Sequence, residues 1–196
     1  MMNALILQDN DLLAKGNDRY VFQHPHDSQL LIKIVIPTIP KYRSKVREVY
    51  LEMKECQPRS SKDALFLQKI KGMVETNQGS GQVIVKECDA QGNIARTLHD
   101  IARNNEMDVE KYGKLNEFLV WCLNTDVVIN SLHCKNIVYA WDAELQTYRF
   151  KVIDGFGDKT FLQLSKVWRI IRDKNKLKCL KRMLRDLEGL VQENVM

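Results

Sequence analysis

The N-terminal half of the chain alternates between short apolar runs and turn residues. Apolar and β-branched residues dominate the runs 19–23 and 29–36, which are separated by a His-Pro-His-Asp turn and followed by Pro37. Two more runs, residues 72–76 and 82–86, flank the turn-rich sequence Asn-Gln-Gly-Ser-Gly. These runs predict an antiparallel sheet built from a meander and a later hairpin.

Between these strands the hydrophobic period changes to that of a helix. One face of the segment 41–55 is apolar, and its members are Tyr42, Val46, Val49, Tyr50 and Met53. Glu48 lies beside this face, and Glu52 follows one helical turn later. The pattern therefore predicts one helix within the sheet-forming half of the chain.

The C-terminal half has a mostly helical pattern. The spacing of apolar residues predicts helices over 97–103 and 109–126, and one or two amphipathic helices within 162–196. The strands 136–140 and 148–153 predict a second hairpin. A sheet-rich first half and a helix-rich second half indicate the α+β class.

Composition places the chain among ordinary globular proteins. Of its 196 residues, 44% are hydrophobic and 28% are charged, which excludes a disordered chain, a collagen and a small disulfide scaffold. The low numbers of glycines (9) and prolines (4) favour helices over a many-turned β-sandwich. The net charge of +5 is too small to indicate nucleic-acid binding by itself.

The five cysteines are odd in number and include no Cys-x-x-Cys pair. Neither a disulfide framework nor a zinc site is therefore expected, and a cytoplasmic location is predicted. Residues 1–10 lack the basic flank of a signal peptide. No apolar run approaches the roughly 18 residues that cross a bilayer.

The last segment of the chain, residues 162–196, is basic. It carries nine lysines and arginines against four aspartates and glutamates. One interpretation is a helix that packs its apolar stripe on the core and leaves a solvated basic face outside. The alternative is a surface for nucleic acid or for an anionic membrane.

The order of the elements and of their polar residues resembles a protein-kinase-like fold. A strand with Lys33, a helix with Glu48, a turn ending in Asn136 and a hairpin followed by Asp154-Gly155 occur in that order. More closely, residues 5–161 resemble the bacterial YrbL family, described as PhoP regulatory network protein YrbL. The stretches that carry this second resemblance are Leu13-Ala14-Lys15-Gly16, Val21-Phe22, Leu31-Ile32-Lys33-Ile34-Val35, Gly72-Met73-Val74-Glu75-Thr76, Asn136-Ile137 and Val152-Ile153-Asp154.

The resemblance implies a minimal, two-lobe kinase-like fold of the α+β class around a nucleotide cleft. The N-lobe would comprise residues 1–88, an antiparallel sheet with one helix. The truncated and mostly helical C-lobe would comprise residues 89–196. The hinge would lie at residues 86–89, where the backbone of Glu87 and Cys88 would bind the adenine edge of ATP.

The resemblance also implies roles for the polar residues. A kinase neutralises a triphosphate, so it needs a lysine, a carboxylate that orients the lysine, and oxygen ligands for Mg²⁺. Lys33 matches the lysine and Glu48 matches the carboxylate, with Glu52 as the alternative. Asn136 and Asp154 match the two metal ligands. ATP and Mg²⁺ are therefore the expected cofactors.

Two motifs depart from the kinase pattern. Of the glycine-rich loop only Gly16 remains, and Arg19 stands at the place of the third glycine, where its charge would contact a phosphate. Ser131 replaces the catalytic aspartate, and a serine hydroxyl is not a general base at neutral pH. Histidine is the side chain best suited to that task, so His133 would substitute as the base.

Two functions follow from the resemblance. The first is an ATP- and Mg²⁺-dependent transfer of phosphate. Only 42 residues follow Asp154, too few for the helices that dock a protein substrate, so a small molecule, a sugar or a lipid headgroup is the expected acceptor. The second is a catalytically inactive, pseudokinase-like module that binds a nucleotide or a protein partner in regulation. Loss of transfer on His133→Ala would separate the two.

Each of these residues also has a structural alternative. Lys33 would then be a strand-edge lysine that snorkels to solvent, Asp154 a turn residue, and Asn136 a cap. Glu48 would be an ordinary solvated carboxylate on a helix. Burial of the side chains and their mutual placement distinguish the two sets of interpretations.

Overall fold

The computed structural model describes residues 4–55, 57, 60–129, 131–155 and 169–192. The chain forms two compact units. The first unit contains residues 1–57 and 69–86, and the second contains residues 58–68 and 87–196. Segment 58–68 thus belongs with the helical unit, although the predicted N-lobe includes it.

The first unit is built on a five-stranded antiparallel sheet. Its strands are β1 (Leu12–Lys15), β2 (Arg19–Gln23), β3 (Leu30–Val35), β4 (Ile70–Thr76) and β5 (Gly79–Val85). They lie side by side in the order β1-β2-β3-β5-β4. The predicted meander and hairpin are both present, and a tight turn at residues 77–78 takes the place of the predicted longer loop 77–81.

One face of this sheet carries a hydrophobic core of the first unit. Phe22, Ile32 and Ile34 pack there with Leu7, and all four are at most 6% exposed. Phe22 of β2 stands directly opposite Ile32 of β3 in the register. Because successive side chains of a strand alternate between the two faces, Lys33 lies on the opposite face.

The helix α1 (Tyr42–Glu55) follows β3. Val49 is buried as predicted, whereas Tyr42 and Tyr50 of the predicted apolar face are 37% and 55% exposed. Glu52 is buried instead. Each residue turns a helix by about 100°, so Glu52 lies only about 60° from Val49, while Tyr50 lies about 100° away on the other side. The helix packs at a phase that turns this carboxylate inward.

In its described part, the second unit combines four helices with a three-stranded antiparallel sheet. The helices are α2 (Ser61–Phe66), α3 (Leu98–Arg103), α4 (Val109–Asn124) and α5 (Arg169–Gln192). The strands are β6 (Arg96–Thr97), β7 (Ile137–Asp142) and β8 (Thr147–Val152), in that order across the sheet. The predicted helices and hairpin are present, and residues 162–168 and 193–196 of the predicted C-terminal helices lie outside the described residues.

Hydrophobic periodicity alone misses α2, a helix of one and a half turns. Its local signal is a cap, in which the hydroxyl of Ser60 accepts a hydrogen bond from the N–H of Asp63. The buried carboxylate of Asp63 accepts from the indole of Trp121 at 2.9 Å and from the hydroxyl of Thr125 at 2.7 Å. Phe66 stacks on Trp121 with the ring centroids 5.1 Å apart. These contacts fix α2 on α4.

The helix α5 begins beside the C-terminal end of α4. The buried ammonium of Lys176 donates to the carbonyls of Cys122 and Thr125 there, and Arg172 pairs with Asp126 at 2.7 Å. A cation at this end complements the helix dipole. Burial lowers the pKa of Lys176 below its ordinary value. Two basic residues of the C-terminal segment therefore hold the second unit together.

The cysteines of the described residues are reduced. The cysteines described as free thiols are Cys88, Cys122, Cys134 and Cys179. Burial raises the pKa of Cys134 to about 11, so it is not a reactive thiolate at neutral pH.

In the part of the chain that the structure describes, no helix has both the length and the apolar character to cross a membrane.

Replacement of Asp63 by alanine should destabilise the protein. The change leaves the indole of Trp121 and the hydroxyl of Thr125 without this acceptor, and we expect the free energy of unfolding in urea to fall by about 2–4 kcal/mol. The control Glu144→Ala removes an exposed carboxylate and should change it by less than about 0.5 kcal/mol. Equal effects of the two variants would contradict this role of Asp63.

Candidate functional site

Lys33 lies in the middle of β3, a central strand, and is 8% exposed. In register it stands between Val21 of β2 and Gln82 of β5. Directly opposed residues share a face, so Gln82 lies beside Lys33. Gln82 is 1% exposed, and within the described residues its side-chain nitrogen has no hydrogen-bond acceptor. A buried donor of this kind is costly, and here it borders the predicted phosphate-binding lysine.

An ion pair between the sheet and α1 lies on the same face. Arg19 of β2 stands opposite Val35, two residues after Lys33, so Arg19 and Lys33 share a face. The guanidinium of Arg19 donates to the carboxylate of Glu52 at 2.6 Å, and their side chains are only 15% and 4% exposed. Water screens such a pair weakly. Arg19, predicted to contact a phosphate, is thus engaged by the helix carboxylate.

Glu48, the carboxylate predicted to orient Lys33, lies on α1 beside Lys45. It accepts a hydrogen bond from Lys45 at 3.2 Å, and Lys45 also pairs with Asp18 at 2.7 Å. The hydrogen bond to Asp18, with that to Glu48, raises the pKa of Lys45 against the effect of burial. Of the two carboxylates that the sequence left open, Glu52 is the buried one.

The remnant of the glycine-rich loop is a short turn between β1 and β2. The N–H of Gly16 donates to the carbonyl of Arg19 at 2.9 Å and closes this turn. A Cβ at Gly16 would lie 3.4 Å from the same carbonyl oxygen, which is an ordinary contact. The N–H of Gly16, the one glycine kept from the predicted loop, is therefore used inside the turn.

Two loops of the second unit are joined by backbone hydrogen bonds. The N–H of Ser131 donates to the carbonyl of Gly155 at 3.2 Å, and the N–H of Ile153 donates to the carbonyl of Asn136 at 2.9 Å. Gly155 has a φ of +95°, and a Cβ there would lie 2.0 Å from the carbonyl oxygen of Ser131. Only glycine fits both the torsion and the contact. The loop after β8 is thus fixed against the predicted catalytic loop.

This pairing brings the two predicted metal ligands together. Asn136 and Ile153 are hydrogen-bonded, and Asp154 lies between Ile153 and Gly155. Both side chains are half-buried, and Oδ1 of Asp154 accepts from the N–H of Gly155 at 2.6 Å. An amide oxygen and a carboxylate suit Mg²⁺, a hard cation. The described residues contain no group of three or more His, Cys, Asp or Glu side chains arranged to hold a metal.

The ring of His133 makes its contacts with α5. Its Nε2 lies 3.4 Å from the guanidinium of Arg182, and its Nδ1 lies 4.0 Å from the carboxylate of Asp186. Ser131, two residues earlier, lies against the backbone of Gly155. The residue next to the loop of Asp154 is therefore Ser131, while the predicted base is held by the C-terminal helix.

Glu87 and Cys88 have hydrogen-bond partners within the second unit. The carbonyl of Glu87 accepts from the N–H of Ala95 at 2.9 Å, and that of Cys88 accepts from the N–H of Trp141 at 2.8 Å. The carboxylate of Glu87 pairs with Lys151 at 2.9 Å. Burial raises the pKa of this carboxyl, and the charge of Lys151 opposes the rise. Through these carbonyls, the backbone segment predicted to meet adenine is anchored to the sheet.

Comparison with solved structures supports the fold. A crystal structure of a kinase domain matches this chain with a TM-score of 0.50 at 16% sequence identity. The match covers 76% of this chain and 51% of that chain, so this chain spans about half the length of the structure it matches. At this identity the likeness shows the fold alone, and it confirms the predicted α+β, kinase-like class. No curated protein matches the chain.

Comparison with protein families gives a longer match. The family model described as PhoP regulatory network protein YrbL matches residues 5–188. The match contains every candidate ligand from Gly16 to Asp154, and it continues beyond residue 161, where the resemblance noted in the sequence ends. The chain therefore belongs to the YrbL family.

Proposed function

We propose that the protein binds ATP together with Mg²⁺. The observation that carries this proposal is the pair of backbone hydrogen bonds that holds Asn136 and Asp154 at one place in the second unit. Proteins usually bind Mg²⁺ through one or two such oxygen ligands together with the phosphates of a substrate. Asn136 and Asp154 suit this mode of binding, because the metal would still need the phosphate oxygens of a nucleotide.

Lys33 would supply the phosphate-binding cation. Its burial places the ammonium where attraction to a phosphate is stronger than in water. Of the two carboxylates that the sequence left open, Glu52 is the more deeply buried, and it would orient this lysine while sharing its charge with Arg19. The buried amide of Gln82 supports the proposal, since a ligand oxygen would satisfy its N–H donors.

The backbone N–H and C=O groups of Glu87 and Cys88 would bind the adenine edge of the nucleotide. Their carbonyls accept hydrogen bonds from Ala95 and Trp141, and the second lone pair of each oxygen would be left for the base. When bound, Mg²⁺ would neutralise part of the phosphate charge.

Phosphate transfer to a small molecule, a sugar or a lipid headgroup is the second candidate function. The retention of Lys33, Asn136 and Asp154 favours it. However, Ser131 stands where kinases have the catalytic aspartate, and the ring contacts of His133 are with α5. These two observations favour nucleotide binding without transfer, as in a pseudokinase-like regulatory module.

Calorimetric titration with ATP tests the proposal. We expect the wild-type protein to bind ATP more tightly in Mg²⁺ than in EDTA, because the metal joins Asp154 to the phosphates. Lys33→Ala and Asp154→Asn each remove one charge-assisted contact, so each should weaken binding by about tenfold or more.

The matched controls are Lys71→Ala and Asp27→Asn, which change exposed residues of the first unit and should bind like wild type. Absence of ATP binding by wild type and controls alike would show the proposal to be wrong. In the same samples, formation of ADP together with a phosphorylated sugar or lipid headgroup would establish transfer. Its persistence in His133→Ala would exclude His133 as the base.

Glu52→Gln and Glu48→Gln form a matched pair on one helix. Glu52→Gln removes the counter-charge of buried Arg19, so the free energy of unfolding should fall by about 3 kcal/mol, and ATP affinity should fall with it. Glu48→Gln leaves Lys45 paired with Asp18 and should cost less than about 1 kcal/mol. Urea titration and calorimetry measure both effects. An ATP affinity that depends on Glu48 alone would restore the original assignment.

Gly155→Ala and Gly92→Ala separate steric contact from torsional strain. Both glycines have positive φ, +95° and +86°, but only at Gly155 does an added Cβ meet backbone, at 2.0 Å from the oxygen of Ser131. We expect Gly92→Ala to cost about 1 kcal/mol in urea titration and Gly155→Ala at least about 2 kcal/mol more. Mg²⁺-dependent ATP binding should be lost only in Gly155→Ala. Equal costs and equal affinities would show that this contact does not position the ligands.

A further inference from the structure

A groove of about 340 Å³ runs between α4 and α5 within the second unit. Leu184 and Val191 of α5 line it together with Tyr112 and Leu115 from the first half of α4. The beginning of α5, by contrast, lies at the C-terminal end of α4, where Lys176 binds the last carbonyls. The two helices are therefore antiparallel, and they form the two walls of the groove.

Each wall presents an apolar row at helical spacing. Tyr112 and Leu119 of α4 and Leu184 and Val191 of α5 line the groove. Helical spacing places Leu123 and Leu177 on the same faces, where they extend the two rows. Tyr112, Leu123 and Leu177 are 46%, 53% and 48% exposed. Other apolar residues of α4, such as Phe118 and Cys122, are fully buried, so the exposed row is additional to the core of the unit. A contiguous exposed apolar patch of this kind indicates an interaction surface.

The dimensions of the rows fit a third helix. At 1.5 Å per residue, the rows extend about 17 Å on α4 and about 21 Å on α5, the length of a helix of three to four turns. An amphipathic helix in such a groove buries residues spaced at i, i+3, i+4 and i+7 between the walls. An extended peptide fits less well, because helices use their own backbone groups and offer no edge for strand pairing.

The charges around the groove favour an acidic occupant. On the solvent side of the groove, the exposed basic residues of α5 are Lys174, Lys178, Lys181 and Arg185, whereas Arg182 lies against His133. Glu188 is the acidic residue that lines the groove on this helix. On α4, the carboxylate of Glu117 pairs with Lys114 at 3.1 Å and lies 3.6 Å from Arg149. The excess of positive charge would attract carboxylates on the flanks of a bound helix.

The same observations argue against two other occupants of the groove, a second copy of this chain and a nucleic acid. A second copy of this chain would bring the same basic helix to the groove and would be repelled. Nucleic acid would use the charges but leave the apolar rows in water. We propose that the groove between α4 and α5 binds an acidic amphipathic helix of a partner protein. The proposal does not depend on nucleotide binding, so either can fail without the other.

Selection from a helix library tests this proposal. The full chain is presented with 16-residue peptides that carry apolar residues at heptad positions a and d, and Glu, Gln or Lys elsewhere. We expect enrichment of Glu over Lys, and binding of the enriched peptide in a fluorescence anisotropy titration. Tyr112→Asp and Leu177→Asp change half-exposed side chains, so they should preserve the fold by circular dichroism and weaken binding about tenfold or more. Lys178→Glu combined with Lys181→Glu should reverse the charge preference.

The matched control is Leu145→Asp, which places the same charge on an apolar residue 48% exposed in the turn between β7 and β8. It should bind the peptide like wild type. The proposal is overturned if no peptide is enriched over scrambled sequences, or if the groove variants bind as tightly as this control. It is also overturned if sedimentation shows a dimer that Tyr112→Asp dissociates, or if DNA or anionic vesicles bind while no acidic helix does.

Discussion

The backbone pairing between the loop before β7 and the loop after β8 is the interaction on which the candidate site depends. Each loop carries one predicted oxygen ligand: Asn136 ends a single 3-10 turn before β7, and Asp154 lies in the irregular residues after β8. The register of the hairpin, in which Ile137 stands opposite Val152, delivers both loops to its open end. Gly155 then permits the close approach that locks them. The placement of the two predicted metal ligands therefore rests on a hairpin register and one glycine.

The buried ion pair in the first unit shows how a kinase-like pattern has been altered. The glycine-rich loop is reduced to a turn closed by Gly16, and Arg19 reaches the helix carboxylate from the strand that follows. A guanidinium beside Glu52 places a second cation on the face that carries Lys33. An ion pair this well buried holds α1 against the sheet, since loss of either partner would leave the other charge in a poorly solvated place.

The basic residues of the C-terminal helix α5 have two separate roles. Arg172 and Lys176 bind the C-terminal end of α4, so their charges serve the packing of the second unit. The outward-facing lysines and arginines border an apolar groove instead. Packing against α4 therefore accounts for the basic residues on the inward face of the helix. The basic residues on its outward face are available to a partner. Net charge alone could not separate these roles, because it carries no information about direction.

The sequence by itself determined the longer strands and helices, because their hydrophobic periods are local, but it missed α2 and the short strands β1 and β6. Its kinase-like resemblance also implied that Asn136 and Asp154 act together, and the hairpin between them brings both to one end. Only the tertiary structure decided that Glu52 rather than Glu48 is buried, because packing against a sheet from distant parts of the chain sets the rotation of a helix. It also decided the direction of His133, a residue in a short turn where no period governs the side chain and contacts with α5 do.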